Sequence, residues 1–279
     1  MRLGKKSYSL KGFVTRTLTG AVFGLLVIGS ILWSPWAFFL LMGVFVFLAL
    51  GEFVKLFPSH PPVQGTLIYF FLGMAVYVLV GLTGMNVLDI SNLLLVFLSF
   101  FLLMAVELFR QPHPSWMQMA AGFTAFIYIS TPFGMMNGLF WLHNANISFP
   151  WVLLALFVLV WTNDVFAYLI GSAFGKHKLY PKLSPKKTWE GSLGGFIFTL
   201  AAAWLFSFYA TNLALRQWLW LGAIISVTAN LGDLAESLLK RNAGRKDSGK
   251  ILPGHGGVLD RFDAVLFATP FVFFYLYIL

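Results

Sequence analysis

Nine apolar stretches, separated by short polar breaks, dominate this chain and leave it few ways to fold. They cover approximately residues 13–33, 36–53, 66–82, 88–108, 117–142, 149–170, 191–210, 218–239 and 258–279. A helix needs about twenty apolar residues to cross the hydrocarbon of a bilayer, and most of these stretches reach that length. Charged residues make up 10% of the chain and hydrophobic ones 59%, whereas a soluble domain carries roughly a quarter charged. The expected fold is all-α: one polytopic membrane bundle of about nine transmembrane helices within residues 1–279. The stretch 117–142 contains Pro132 and Gly134 and is open to being two half-helices. Lys5, Lys6, Lys11 and Arg16 precede the first stretch as they would in a signal peptide. No small-residue cleavage site precedes Trp33 and Pro35, however, so the stretch is expected to be a retained span.

Orientation follows from the cations, because Lys and Arg keep short loops on the cytoplasmic side. With the N-terminus cytoplasmic, nine spans put every cation inside except Arg216. The expected location is the inner, cytoplasmic membrane of a cell, multi-pass, with the functional loops facing the cytoplasm. The net charge of +9 is the ordinary product of that topology and of attraction to anionic headgroups, so nucleic acid is excluded as a partner and membrane lipids are included. Whether two copies associate as a homodimer is left open. There is no cysteine, so any metal must be held by oxygen or imidazole. Up to Leu142 the only acids are Glu52, Asp89 and Glu107. Residues 1–148 are therefore expected to support, and residues 149–279 to carry, the chemistry.

Two constellations interrupt the apolar pattern. In the first, Asp233, Glu236 and Lys240 lie three and four apart on one face of the eighth stretch, and Asp260 and Asp263 lie three apart at the start of the ninth. Ionisable residues inside spans are functional candidates by default. Facing carboxylates repel unless a cation intervenes, and a hard ion such as Mg2+ is bound by one or two carboxylates plus substrate phosphates. Asp233, Asp260 and Asp263 are therefore the candidate metal ligands. The competing structural role for Glu236 is a salt bridge to Lys240. Between the two stretches lies a loop rich in glycine and cations, with Lys246, His255, Gly256 and Gly257. Its backbone N–H groups and lysines suit phosphate.

The second constellation is WTNDVFAYLIGSAFGKHKLYPKLSPKKTWEG, from Trp161 to Gly191. Asp164 lies within a span, with Tyr168, Gly171 and Gly175 following at small-residue spacing, a face that also suits plain helix packing. Ser184, Lys186 and Lys187 precede a helix near Gly191 and could bind an anion at its N-terminus. Thr188 and Glu190 also fit as an N-cap and a first-turn acid.

The run SLLKRNAGRKDSGKILPGHGGVLDRFD, Ser237 to Asp263, resembles the signature of the phosphatidate cytidylyltransferases, also called CDP-diacylglycerol synthases. Ser237, Lys240, Arg241, Lys246, Asp247, Gly249, Pro253, His255, Gly256, Gly257, Asp260, Arg261 and Asp263 fill its specified positions. The S-P-K-K-T-x-E-G stretch is similar to a second recurrent region of that family. The resemblance implies a multi-span enzyme that joins CTP to phosphatidic acid within the bilayer, giving CDP-diacylglycerol and pyrophosphate. It also implies Mg2+, with a potassium ion at the acidic cluster, and Asp233 and Asp260 as metal-binding acids. The expected catalytic residues are Asp233, Asp260, Lys240, Arg241, Lys246, His255 and Arg261, the cations serving the triphosphate. Asp164, Ser184, Lys186, Lys187, Ser237, Gly256 and Gly257 are expected to bind substrate. A transporter for an anionic solute, a CTP-dependent polyprenol kinase and a cytidylyltransferase for ether lipids are rival expectations. An enzyme consuming CDP-diacylglycerol would carry D-G-x-x-A-R, which is not in the sequence.

Overall fold

The bilayer core holds no water to satisfy backbone groups, so a crossing segment must satisfy them within itself, and long apolar stretches become helices. A computed structural model of the protein describes residues 10–56, 63–109, 116–141, 150–211, 213–249, 251–252, 254 and 256–279. Among these, each apolar stretch is helical: α1 Leu10–Trp33, α2 Pro35–Leu56, α3 Val63–Gly84, α4 Leu94–Leu108, α5 Trp116–Ala125, α6 Thr131–Gly138, α7 Trp151–Phe174, α8 Trp189–Tyr209, α9 Leu215–Asn242 and α10 Leu259–Ile278. A 3-10 turn, Ile90–Leu93, leads into α4. Eight spans among the described residues are long and apolar enough to cross a membrane, and α1 adds a further 24-residue helix. The protein is an all-α polytopic membrane protein.

The stretch with Pro132 and Gly134 is not two half-helices. It forms one 23-residue span, Trp116–Gly138, in which α5 passes into α6 through a π-helical turn at Phe126–Ser130. The Thr131 N–H reaches five residues back to the Phe126 carbonyl, and Pro132, next along, has no N–H to donate. The wider turn absorbs the proline that would otherwise break the ladder.

Two features set the position of the C-terminal helices. Phe262, fully buried in the first turn of α10, meets rings from four other helices. Its centroid lies 5.3 Å from Phe23 of α1, 5.1 Å from Phe45 of α2, 4.8 Å from Phe133 of α6 and 6.3 Å from Phe157 of α7. This hub holds the start of α10, with Asp260 and Asp263 either side of it, against both halves of the chain. The second feature is the α7–α8 seam. A methyl group on Gly191 would lie 2.6 Å from the Ala167 carbonyl and 3.0 Å from the Gly171 Cα, so glycine there lets the two backbones touch. The small-residue face expected on α7 is thus a packing face at Gly171. Tyr168, by contrast, is 74% exposed.

Between α7 and α8 the chain is not a plain loop. It folds into an antiparallel hairpin, β1 Lys178–Tyr180 and β2 Ser184–Thr188, with Lys178 opposite Thr188 and Tyr180 opposite Ser184. Thr188 is the N-cap of α8 and accepts a hydrogen bond from the Gly191 N–H at 3.2 Å. Glu190 accepts from the Lys176 and His177 N–H groups and lies 2.6 Å from His177 Nδ1, tying the start of the hairpin to the helix.

Candidate active site

The charged residues of α9 sit where the periodicity put them, with Asp233, Glu236, Ser237 and Lys240 along one face. Two clusters form on that face. In the first, Lys240 pairs with the fully buried Glu236 one turn back and with Asp260 Oδ1 of α10 at 2.7 Å. Asp260 also accepts hydrogen bonds from the Ser248 N–H at 3.0 Å and the Gly257 N–H at 2.8 Å. The carboxylate thus draws Ser248, within the α9–α10 loop, to Gly257 near its end. Gly256 takes a φ of +86° beside it, and a Cβ there would lie 2.6 Å from Asp260 Oδ2, so both the backbone angle and the space require glycine.

In the second cluster, Lys187 Nζ of β2 lies 2.6 Å from Asp233 Oδ2, and the Ser237 hydroxyl donates to Asp233 Oδ1 at 3.4 Å. Beside it Asn163, buried in α7, accepts from the Ser226 hydroxyl at 2.6 Å and from Asn230 Nδ2 at 3.4 Å. The hairpin is thus tied to α9 through Lys187, and α7 is tied to α9 through Asn163. Asp164, the next residue on α7, is exposed and accepts weakly from Asn163 at 3.5 Å. Helices α9 and α10 touch here backbone to backbone, since a methyl on Gly232 would lie 2.7 Å from the Asp263 carbonyl. Asp233 and Asp263 therefore sit side by side, and Asp263 lies within electrostatic range of both Asp233 and Asp164.

Other expected residues lie around these two clusters. Arg241 is exposed and donates to the Arg245 carbonyl at 3.3 Å. Lys246 and Lys186 are exposed, and Ser184 is half-buried at the start of β2. Arg261 is exposed on the first turn of α10, within electrostatic range of Asp164. His255 lies outside the described residues.

A profile of the cytidylyltransferase family matches residues 14–279. The chain belongs to the cytidylyltransferase family. This family member is similar to proteins named phosphatidate cytidylyltransferase from three bacteria. That of Haemophilus influenzae is 47% identical over 134 residues, 46% of each chain. That of Staphylococcus aureus is 43% identical over 148 residues, 52% of this chain and 56% of the relative. The chain thus spans about half the length of those two relatives. That of Staphylococcus saprophyticus is 35% identical over 261 residues, 91% of this chain and 95% of the relative.

One acid of this cytidylyltransferase-family chain was missed from sequence. Glu52 of α2 is 1% exposed, and its carboxylate accepts hydrogen bonds from the α9–α10 loop. The only hint in the sequence is an acid inside an apolar stretch, and its partners lie nearly two hundred residues away. As for a metal, the acids among the described residues of the site offer oxygen, which suits a hard divalent ion. Glu236 Oε1 is a buried acceptor without a hydrogen-bond partner. Among the described residues no three acids or histidines converge as a cage, so an ion there would need water and substrate phosphate to complete its shell.

Proposed function

We propose that this protein is a phosphatidate cytidylyltransferase of the inner membrane with its site on the cytoplasmic face. It transfers the cytidylyl group of CTP to phosphatidic acid and releases pyrophosphate. The observation that carries the proposal is the pair of fixed ammonium–carboxylate contacts, Lys240 with Asp260 and Lys187 with Asp233, on one face of α9. A lipid phosphate and a nucleotide triphosphate must meet at a membrane surface, and this face offers immobilised positive charge beside acids able to share a divalent ion.

The reaction needs little proton transfer. A phosphate monoester has a second pKa near 6, so at neutral pH a phosphatidate oxygen is already a competent nucleophile. It attacks the α-phosphorus of CTP in line; the new P–O bond forms as the bond to the bridging oxygen breaks, and that oxygen departs with pyrophosphate. What remains is positioning and electrostatic stabilisation. Lys187 and Lys240 are held by carboxylates before substrate arrives, so their charges need no reorganisation. Arg241, Lys246 and Arg261, exposed around them, are suited to draw in the triphosphate. Asp233 and Asp263 would hold Mg2+, with substrate phosphate and water completing its shell. Bound there, the ion supplies charge neutralisation on the phosphates. Asp260, whose oxygens meet an ammonium and two backbone N–H groups, has the separate task of fixing Lys240 and the loop.

Purified protein in detergent micelles, given radiolabelled CTP and phosphatidate, is expected to yield CDP-diacylglycerol. EDTA should abolish turnover and Mg2+ should restore it. Micelles have no second compartment, so intact CTP after prolonged incubation would point to a carrier and defeat the proposal. Mass spectrometry of product from mixed ester and ether phosphatidates separates the two lipid classes.

A further inference from the structure

Glu52 belongs to the half of the chain that holds few acids, yet its carboxylate touches the signature loop at three points. Oε2 accepts from the Ser248 hydroxyl at 3.2 Å and from the Leu259 N–H at 2.9 Å, and Oε1 accepts from the Val258 N–H at 3.0 Å. Val258 and Leu259 begin α10, whose N-cap residue has no side-chain cap of its own. Glu52 supplies that cap from another helix, and the dipole of α10 favours its charge. Ser248 joins the two acids: its hydroxyl goes to Glu52 and its N–H to Asp260. The loop is therefore gripped by Glu52 through Ser248, Val258 and Leu259, and by Asp260 through Ser248 and Gly257.

The glycines of the loop report the same contact. A Cβ on Gly249 would collide with the Glu52 carboxylate, with Cδ at 2.7 Å and Cγ at 3.0 Å, and one on Gly257 would collide with both Glu52 and Ser248. Gly257 is a signature position whose absent side chain is explained by the space that Glu52 occupies.

We propose that Glu52 is a positioning residue for cytidylyl transfer, holding the loop and the first turn of α10 so that Asp260 and Lys240 keep their geometry. This rests on the activity proposed above. Its test is Glu52→Gln, which keeps the size but turns an amide donor toward a group that needs an acceptor. The kcat is expected to fall about 30-fold or more while KM for phosphatidate stays within about 3-fold. Hydrogen exchange at Val258 and Leu259 is expected to quicken about 10-fold, with the rest of α10 unchanged. A general loss of stability would instead raise exchange throughout. If Glu52→Gln does not fold, Glu52→Asp with Gly249→Ala decides the matter. The shorter acid makes room for the methyl, so the double variant should be more active than Gly249→Ala alone. Unchanged kcat and unchanged loop exchange in Glu52→Gln, or strict additivity in the double variant, would overturn the proposal. A wild-type protein that makes no product defeats the activity instead, and exchange at Val258 and Leu259 then decides the clamp by itself.

Discussion

Asp260 and Lys240 illustrate how a charged pair inside a membrane protein depends on every partner. Asp260→Asn would turn an amide group against the Lys240 ammonium or a backbone N–H. Turnover is expected to fall at least about 100-fold with expression unchanged, measured by incorporation of labelled CTP into lipid. Lys240→Met leaves Glu236, at 0% exposure, a buried carboxylate without its counter-ion. This should cost about 3–5 kcal/mol of stability, read from thermal unfolding in detergent, and Glu236→Gln in the same chain should recover part of it. Lys55, exposed at the end of α2, is the control: Lys55→Ala should change stability by less than about 0.5 kcal/mol and leave turnover alone. At this scale the sequence was uneven in what it disclosed. Asp233 and Lys240 were legible because helical spacing puts them on one face. Lys187 was visible as a cation but its partner was not, since strand β2 meets α9 only in the folded bundle. Glu52 was likewise visible as an acid inside an apolar stretch while its partners were not.

Helix α10 is placed by Phe262 as well as by its charged first turn. Phe262→Ala should destabilise by about 3–5 kcal/mol, because four helices lose a shared ring contact and no rearrangement fills the space. Scanning calorimetry in detergent would measure the shift. Gly191→Ala should cost about 1–3 kcal/mol, the methyl meeting the Ala167 carbonyl rather than a side chain that can move aside. Helices of this kind were readable in number and place, with ends off by up to six residues, as at α4, expected from 88 and beginning at Leu94. The ninth stretch was expected at 258–279 and is observed at Leu259–Ile278. The π turn at Phe126–Ser130 and the hairpin were not readable. Pro132 signals an interruption without stating its kind, and KLY and SPKKT are too short and polar to show the alternation of a strand.

The bundle as a whole brings the C-terminal end of α2, the hairpin and the α9–α10 loop to one end, the end proposed to face the cytoplasm. The chain has no cysteine, so single thiols can be introduced without background. Lys182→Cys should react with a membrane-impermeant maleimide only in inverted vesicles, and Arg216→Cys only in right-side-out ones; the reverse pattern would invert the topology. The grip of Glu52 on the loop also has a consequence for the order of synthesis. Its hydrogen-bonding partners lie 196, 206 and 207 residues further along the chain. At about 5–20 residues per second of translation, the second helix waits roughly ten to forty seconds with an acid that nothing yet receives. The polypeptide is thus held unfinished until α10 arrives, and a ribosome that stalls before α10 leaves a membrane protein whose earlier helices are in place but whose proposed site has not come into being.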